Sequence, residues 1–568
     1  MELFLSFTLA TIISVLLMPV LIKSAGYLGM LDEPDERKVH SHSIPRCGGL
    51  GLSFATLVTV AILAPFAEPF SSLLIGGTII VLFGVLDDIF ELNYKWKFFG
   101  QLIAVIFVLY KGIYLRCLPF AGLDDAPLWL TYPLTIIFVV GVTNAVNLSD
   151  GLDGLAAGIM LMTLAAVAFF SNHVGGKDLA LIALALIGGI LGFLRFNSHP
   201  AIVFMGDTGS QFIGFMAAFL CIYLVENVYV TLNPALPLLL LGLPVLDTLM
   251  VMGQRIYIGQ SPFSPDKRHI HHRLLAHGFT HAEAVSCIYA TQSIFLVAAF
   301  LLRYQSDLAV TGVYGLICAN IGFFFYWADR TNWQLRPEIN TQDRRRGILR
   351  RFDWLYWGAR LYIEFALLLY LGTMIFVMFK SFPLLNSAEP FFFISLGLSA
   401  LFVMLLKIPF SNSLVKLCVY ITATFSGFIL TSSHLNNPYV DSAVNVFLAC
   451  LMLVIFIGIR VTRRSVFSFS TQDLLISLFA VATVLLSNTQ FPAIFLFRLL
   501  CLAYGIEYLF NFPLRPYRLL RLTALIAGFM VFTILLNGYK LQFDPVNPES
   551  NPPYSALFNL SNLFRQSF

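Results

Sequence analysis

Four short polar stretches interrupt an otherwise apolar chain, and each carries residue types suited to phosphate chemistry. Asp87 and Asp88 end the run Gly84-Val85-Leu86-Asp87-Asp88, where a carboxylate beside apolar surface is costly unless it is used. On a helix, adjacent residues point about 100° apart, so one carboxylate can meet a metal while the other meets a substrate. In the second stretch, Asn144, Asn147, Asp150 and Asp153 recur at intervals of three. Asn144 and Asn147 share a helix face, as do Asp150 and Asp153 if the helix resumes, and Gly151 and Gly154 let backbone approach a ligand closely. In the third, Asn197 precedes Met205-Gly206-Asp207-Thr208-Gly209-Ser210, and Asp207 opens an apolar run. There it either caps a helix or reaches a ligand. The fourth, Ser261 to Arg273, packs His269, His271 and His272 among Lys267, Arg268 and Arg273 as a dense anion site. A zinc reading of these histidines lacks a Cys partner, and the carboxylates elsewhere suit a hard, oxygen-ligated ion.

Together these residues read as phosphoryl chemistry. Carboxylates can hold Mg²⁺, with Mn²⁺ as the alternative ion, against diphosphate oxygens. The basic loop can clamp the same anion by charge-assisted hydrogen bonds. Neither G-x-x-x-x-G-K-[ST] nor G-x-G-x-x-G occurs, so ATPase and dinucleotide-binding readings lack support.

The elements that must position these groups are membrane helices. Hydrophobic residues make up 58% of the 568 and charged residues 12%, well below the roughly 25% charged of soluble proteins. A soluble fold could not cover itself with so few charges. The fold class expected is an all-α polytopic membrane protein with about 18 runs long enough to cross a bilayer. Eleven of them precede residue 330, at about 2–22, 48–66, 71–89, 98–115, 128–147, 154–171, 179–195, 208–225, 236–252, 283–302 and 309–328. The first run is followed by Lys23 and lacks a basic leader and small-residue cleavage site, which favours a retained span. Six of the eight cysteines lie in apolar runs with no C-x-x-C, as small buried hydrophobes.

With the N-terminus outside, only Lys111, Arg116, Lys177, Arg303, Lys380, Lys540 and Arg565 of the 35 basic residues fall in outer loops. The polar stretches then converge on the cytoplasmic face, as an active site there requires. A transporter or channel is the alternative, and it needs polar groups at mid-span.

The Asp87-Asp88 pair, the N-x-x-N-x-x-D-G-x-D-G-L stretch, F-M-G-D-T-G-S and S-P-F-S-P-D-K-R-H-I-H-H-R stand in the order seen in a known family. So do Asp32 to His40 and Ile44 to Gly49. The chain resembles the polyprenyl-phosphate N-acetylhexosamine-1-phosphate transferases, glycosyltransferase family 4, and within them the undecaprenyl-phosphate N-acetylglucosamine branch. The resemblance covers about 350 residues. It implies transfer of N-acetylhexosamine-1-phosphate from a UDP-sugar to undecaprenyl phosphate, with release of UMP, at the bacterial cytoplasmic membrane. It further implies that Asp207 is the main Mg²⁺ ligand, with Asp88 as a second, and that Asp87 or Asp88 engages or deprotonates the lipid phosphate. Asn147, Asp150 and Asp153 become nucleotide-sugar contacts, and His269, His271 and His272 diphosphate contacts. Lys38, His40, Asn144, Asn197 and Arg273 complete the expected substrate-binding set. Arg195 departs from the apolar or aromatic residue common beside the Asn197 motif.

The expected organisation is a transferase core over 1–358, an additional membrane module over 359–541 and an extracytoplasmic tail over 542–568. The basic run Arg336 to Arg351 reads as an inner-face anchor near anionic lipid. The module matches no motif, and recruitment of a pathway glycosyltransferase, or a homodimer, is the partner reading beside membrane lipids. No nucleic acid is expected.

Overall fold

The computed structural model describes residues 2–32, 43–64, 69–117, 126–261 and 268–335, together with Val446. The chain divides into two compact units, and apart from Val446 the described residues all belong to the first. Seven of the crossings expected from the sequence, and the whole of 359–568 other than Val446, lie outside the described residues, as do Lys38 and His40.

Helices dominate: α1 (Glu2–Leu28), α2 (Gly48–Leu63), α3 (Phe70–Phe90), α4 (Tyr94–Tyr110), α5 (Leu128–Ser149), α6 (Leu155–His173), α7 (Lys177–Asn197) and α8 (Gly206–Tyr223). A π-helical turn, Leu224–Val228, extends α8, and then follow α9 (Leu236–Leu240), α10 (Gly242–Tyr257), α11 (Ile270–Ala276), α12 (His281–Leu302) and α13 (Asp307–Arg330). Eight of the described helices are long and apolar enough to cross a membrane. The protein is a multi-pass helical membrane protein.

Each of the eleven runs expected before residue 330 falls on helix, but two expectations change. The run 236–252 is not one helix: it breaks at Leu241 between α9 and α10. Pro237 starts α9 and Pro244 lies in the first turn of α10, where a missing N–H costs no helical hydrogen bond. The all-α description also gains a small antiparallel ladder, β1 (Leu31–Asp32) with β2 (Ile44–Pro45).

α8 is the axis of the bundle. From Phe212 onward it is apolar on every side, and every residue from Thr208 to Ile222 is buried. α2, α3, α5 and α6 pack around it, and α7 lies between α1 and α6. At the periphery, α13 leaves Leu308, Leu316, Phe323 and Tyr326 exposed, a surface suited to lipid.

Local sequence fixes the turns that matter. Glu91 takes a left-handed conformation after α3, and the Asn93 side chain caps α4 by accepting from Lys95 N. This short reversal brings the start of α4 back beside the end of α3. Thr280 and Glu283 form a reciprocal capping box at the start of α12. After β2, Gly48 N donates to Phe204 O and Gly49 N to Met205 O, while Phe204 N donates to Pro45 O. The segment 45–49 therefore holds the approach to α8 in register.

Candidate active site

Three elements bring carboxylates together at one end of the bundle. Asp87 and Asp88 lie in the last turn of α3, Asp207 is the second residue of α8, and Asp150 follows α5. Asp87 Oδ1 accepts from Leu92 N at 2.8 Å, which fixes the carboxylate against the reversal into α4. Its Oδ2 lies 2.5 Å from Lys97 Nζ, and Asp207 Oδ2 lies 2.6 Å from the same nitrogen. One ammonium thus compensates two carboxylates that belong to different helices.

Asp88 does something else. Its Oδ1 accepts from Asp207 N at 2.9 Å, and its Oδ2 accepts from Thr208 N at 3.0 Å and Thr208 Oγ1 at 2.5 Å. It caps α8 from α3, satisfying backbone donors that a helix start leaves open. Gly206 makes this approach feasible, because at φ 70° a Cβ there would lie 2.6 Å from Arg46 O and 2.7 Å from both Asp88 oxygens.

Behind Asp207, an amide cluster crosses three helices. Gln101 exchanges hydrogen bonds with Asn144 and donates to Gln211 Oε1 at 3.0 Å, and Gln211 Nε2 lies 3.5 Å from Asp207 Oδ2. Asn144 therefore sits in the supporting layer. Asn147 Oδ1 accepts from Ser210 Oγ at 2.9 Å. Asp150 lies between α5 and α6, outside the spans, and accepts no hydrogen bond from a described residue. Burial, then the charges of Asp207, Asp153 and Asp88, push its carboxyl up to about 7. A cation drawn to this corner would relieve that repulsion.

Asn197 spans two segments: its Oδ1 accepts from Gly154 N and its Nδ2 donates to Val203 O, both at 2.8 Å. Asp153 Oδ2 lies 2.6 Å from His199 Nδ1 and accepts from Ala201 N at 3.1 Å.

The histidine segment is anchored from below. His269 Nδ1 lies 2.9 Å from Asp247 Oδ2, and Ile270 N donates to Asp247 Oδ1 at 2.8 Å, all of it buried. His271 lies parallel to His269 and tilted against His272, and so close to Gly151 that a Cβ there would overlap its ring. Burial, then the neighbouring His272, pulls His271 down to about 3, so its imidazole is neutral at any physiological pH. Its Nε2 is buried without a hydrogen-bond partner among the described residues, which leaves one polar contact open beside the Asp150–Gly151 turn. Arg273 turns to α13, with Nη2 2.5 Å from Asp329 Oδ2 and its guanidinium 4.2 Å above the Phe325 ring.

The structure thus joins Asp87, Asp88 and Asp207 directly, brings His271 against the 150–153 turn, and sets Asn144, Asn197 and Arg273 in supporting contacts. Two residues that sequence reasoning missed are Lys97 and Asp247. Asp247 carried a signal, a carboxylate inside the apolar run 236–252. Lys97 looked like any interfacial lysine, and only the reversal at Glu91 gives it meaning.

Comparison with known proteins decides the family. The model of "Glycosyl transferase family 4" matches residues 70–225. A probable undecaprenyl-phosphate N-acetylglucosaminyl 1-phosphate transferase of Bacillus subtilis is 36% identical over 302 residues, covering 52% of this chain and 84% of that protein. The chain belongs to glycosyl transferase family 4. A decaprenyl-phosphate N-acetylglucosaminephosphotransferase of Mycobacterium tuberculosis is 34% identical over 336 residues, 52% of this chain and 82% of its own length. The undecaprenyl-phosphate alpha-N-acetylglucosaminyl 1-phosphate transferase of Escherichia coli K12 is 28% identical over 331 residues, 57% and 90%. The segment that matches the family model holds both α3 carboxylates, Lys97, the Asn147–Asp153 stretch and Asp207. As a member of this family the chain is a membrane-embedded phosphotransferase.

Proposed function

We propose that this protein transfers N-acetylglucosamine-1-phosphate from UDP-N-acetylglucosamine to undecaprenyl phosphate at the cytoplasmic face of a bacterial inner membrane. UMP leaves, and a lipid-diphospho-sugar that starts a cell-surface polysaccharide remains. The observation that carries this reading is the convergence of Asp87 and Asp207 on Lys97 Nζ, beside Asp150, which has no partner among the described residues. The donor set fits Mg²⁺: carboxylate oxygens gather where one cationic group already sits, and Mg²⁺ favours oxygen ligands. Asp207 would hold the ion, and Asp88 would orient Asp207 through the α8 cap. When bound, Mg²⁺ supplies charge neutralisation at the diphosphate.

The chain's own residues do the rest. Asp87 and Lys97 position the lipid phosphate, whose oxygen forms the new bond to the β-phosphorus as the bond to the UMP oxygen breaks. A phosphate monoester is already largely ionised near neutral pH, so positioning matters more than a strong base. Asn147, Asp150 and Asp153 face the nucleotide sugar, and neutral His271 donates from Nε2 to a diphosphate oxygen. The eighteen-span topology with the N-terminus outside belongs to the same reading, supported by the uneven distribution of Lys and Arg.

Membranes carrying the protein, supplied with undecaprenyl phosphate and Mg²⁺, are expected to release UMP from UDP-N-acetylglucosamine in preference to other UDP-sugars. Asp207→Ala and Asp87→Ala, at equal expression, are expected to lose at least about 10²-fold in rate. Normal rates from both would overturn the assignment. Truncation near residue 355 then asks whether 359–568 serves a partner: full UMP release from the shortened chain confines the chemistry to the first eleven spans.

A further inference from the structure

His199, in the turn after α7, reaches Asp153, one of the carboxylates assigned above to the nucleotide sugar. Two donors meet on one oxygen: Asp153 Oδ2 lies 2.6 Å from His199 Nδ1 and accepts from Ala201 N at 3.1 Å. An ionised carboxylate only accepts, so Nδ1 carries the hydrogen. Among the described residues, none donates to Asp153 Oδ1. His281, at the first position of α12, stacks on the His199 ring with centroids 4.1 Å apart and planes 18° from parallel. Its Nε2 is 4.0 Å from Asp153 Oδ2, too far for a hydrogen bond, and neither ring nitrogen has a hydrogen-bond partner among the described residues. His281 thus offers His199 a face rather than a hydrogen bond.

The backbone of the turn after α5 does not need His199. Gly154 N donates to Asn197 Oδ1 at 2.8 Å, and Gly154 O accepts at 2.7 Å from the hydroxyl of Tyr289, a buried side chain of α12. What these contacts leave open is the rotation of the Asp153 carboxylate, whose terminal torsion is broad and roughly two-fold. The single N–H of Ala201 would hold it loosely. Two donors on Oδ2 fix the carboxylate plane and turn Oδ1 away from both. The His199 side chain is half exposed, so holding its ring still costs side-chain entropy, and the His281 face offsets part of that cost.

We propose that His199 is a positioning residue for the nucleotide sugar: its Nδ1–H sets the Asp153 carboxylate so that Oδ1 accepts from an N–H or O–H of that substrate. The proposal rests on the assignment of Asp153 to the nucleotide sugar. His199 acts through Asp153 and touches no reacting atom, and the lipid phosphate, positioned by Asp87 and Lys97, does not depend on it.

The test is steady-state UMP release by the full-length protein in detergent, with UDP-N-acetylglucosamine and undecaprenyl phosphate varied in turn. His199→Phe keeps a ring against His281 and loses the donor, whereas His199→Asn loses the ring and keeps a short donor. His199→Phe is expected to raise KM for the UDP-sugar at least about 10-fold, with kcat and KM for the lipid within about threefold of the unaltered protein. His199→Asn is expected to recover most of that loss. In an Asp153→Ala background, His199→Phe should have no further effect, because the group it orients is gone. Should His199→Phe fail to fold, His199→Ala set against His199→Asn makes the same comparison. An equal rise in both KM values, a fall in kcat alone, or an effect of His199→Phe that persists without Asp153 would overturn the proposal. If Asp153→Ala raises KM for the UDP-sugar and His199→Phe does not, the proposal fails and the assignment of Asp153 stands. If Asp153→Ala leaves that KM unchanged, the assignment fails and the proposal with it.

Discussion

The two charged regions of this bundle are built on opposite plans. At the end of α3 and the start of α8, carboxylates outnumber their partners: Lys97 serves both Asp87 and Asp207, and Asp150 has no described partner at all. In the α10–α11 region the carboxylates that anchor the loop are already engaged. Asp247 holds His269, Asp329 holds both Arg273 and His277, and burial, with His272 beside it, keeps His271 neutral. In sequence the second region looks the more highly charged. In the structure, the first is where an incoming cation or phosphate would find unmet charge, and the second is a scaffold that offers hydrogen bonds.

The sharpest way to break this contrast is Lys97→Met. Removing the shared ammonium leaves Asp87 and Asp207 to repel one another across a short gap. Transfer is expected to fall about 10²- to 10³-fold while Mg²⁺ binds more tightly, because its competitor is gone. Parallel UMP-release assays and Mg²⁺ titrations check both halves, and a weaker Mg²⁺ response would show that Lys97 does not compete for the same carboxylates.

Asp247→Asn tests the second region. It keeps the shape but takes away the charge on which His269 rests, and a loss of about 10- to 100-fold is expected, as for other residues that orient a working imidazole. The loss should appear mainly in KM for the nucleotide sugar, since the loop that would clamp the diphosphate is loosened. An unchanged KM would assign the dyad to stability alone.

A smaller effect concerns acid. His271 titrates near 6.5 when unfolded and near 3 when folded, so the unfolded chain binds more protons between those values. Stability is therefore complete above about pH 6.5 and falls as pH drops toward 3, by up to ~1.4 kcal/mol per pH unit from this one group. Thermal melts in detergent from pH 7.5 to 5 should show that slope, and His271→Asn should flatten it.

Least is expected of Arg273→Lys. It gives up the planar contact with Phe325 and the Asp329 pairing geometry, at a cost of about 1 kcal/mol in stability. Transfer should change by less than about threefold, since the side chain faces α13. A large drop in transfer would move Arg273 from the scaffold into the site.

Much of this was legible from residue types. The order of apolar runs gave the helices, because a bilayer tolerates no other open backbone arrangement. The motif residues Asp87, Asp150, Asp153 and Asp207 did gather at one end of the bundle. What could not be read was pairing. Asp87 and Asp88 differ by one position and face different partners, and only the packing of α3 on α8 decides which is which. Asn144 belongs to an amide cluster because Gln101 and Gln211 arrive from two other helices. The break at Leu241 was visible only as two prolines whose separate helix starts were easy to miss inside an apolar run.

The Asp88 cap has a mechanical consequence. Because a side chain of α3 terminates the backbone of α8, the two helices cannot slide or rotate independently without stripping three hydrogen bonds from a buried carboxylate. At about 1–3 kcal/mol for each group left unsatisfied, that is a latch rather than a bearing. Asp87 and Asp207 are consequently carried on one stiff frame, with their spacing set before any ligand arrives. Accommodating a long lipid on one side and letting a nucleotide go on the other must then be the work of the segments hung on that frame, not of the frame itself.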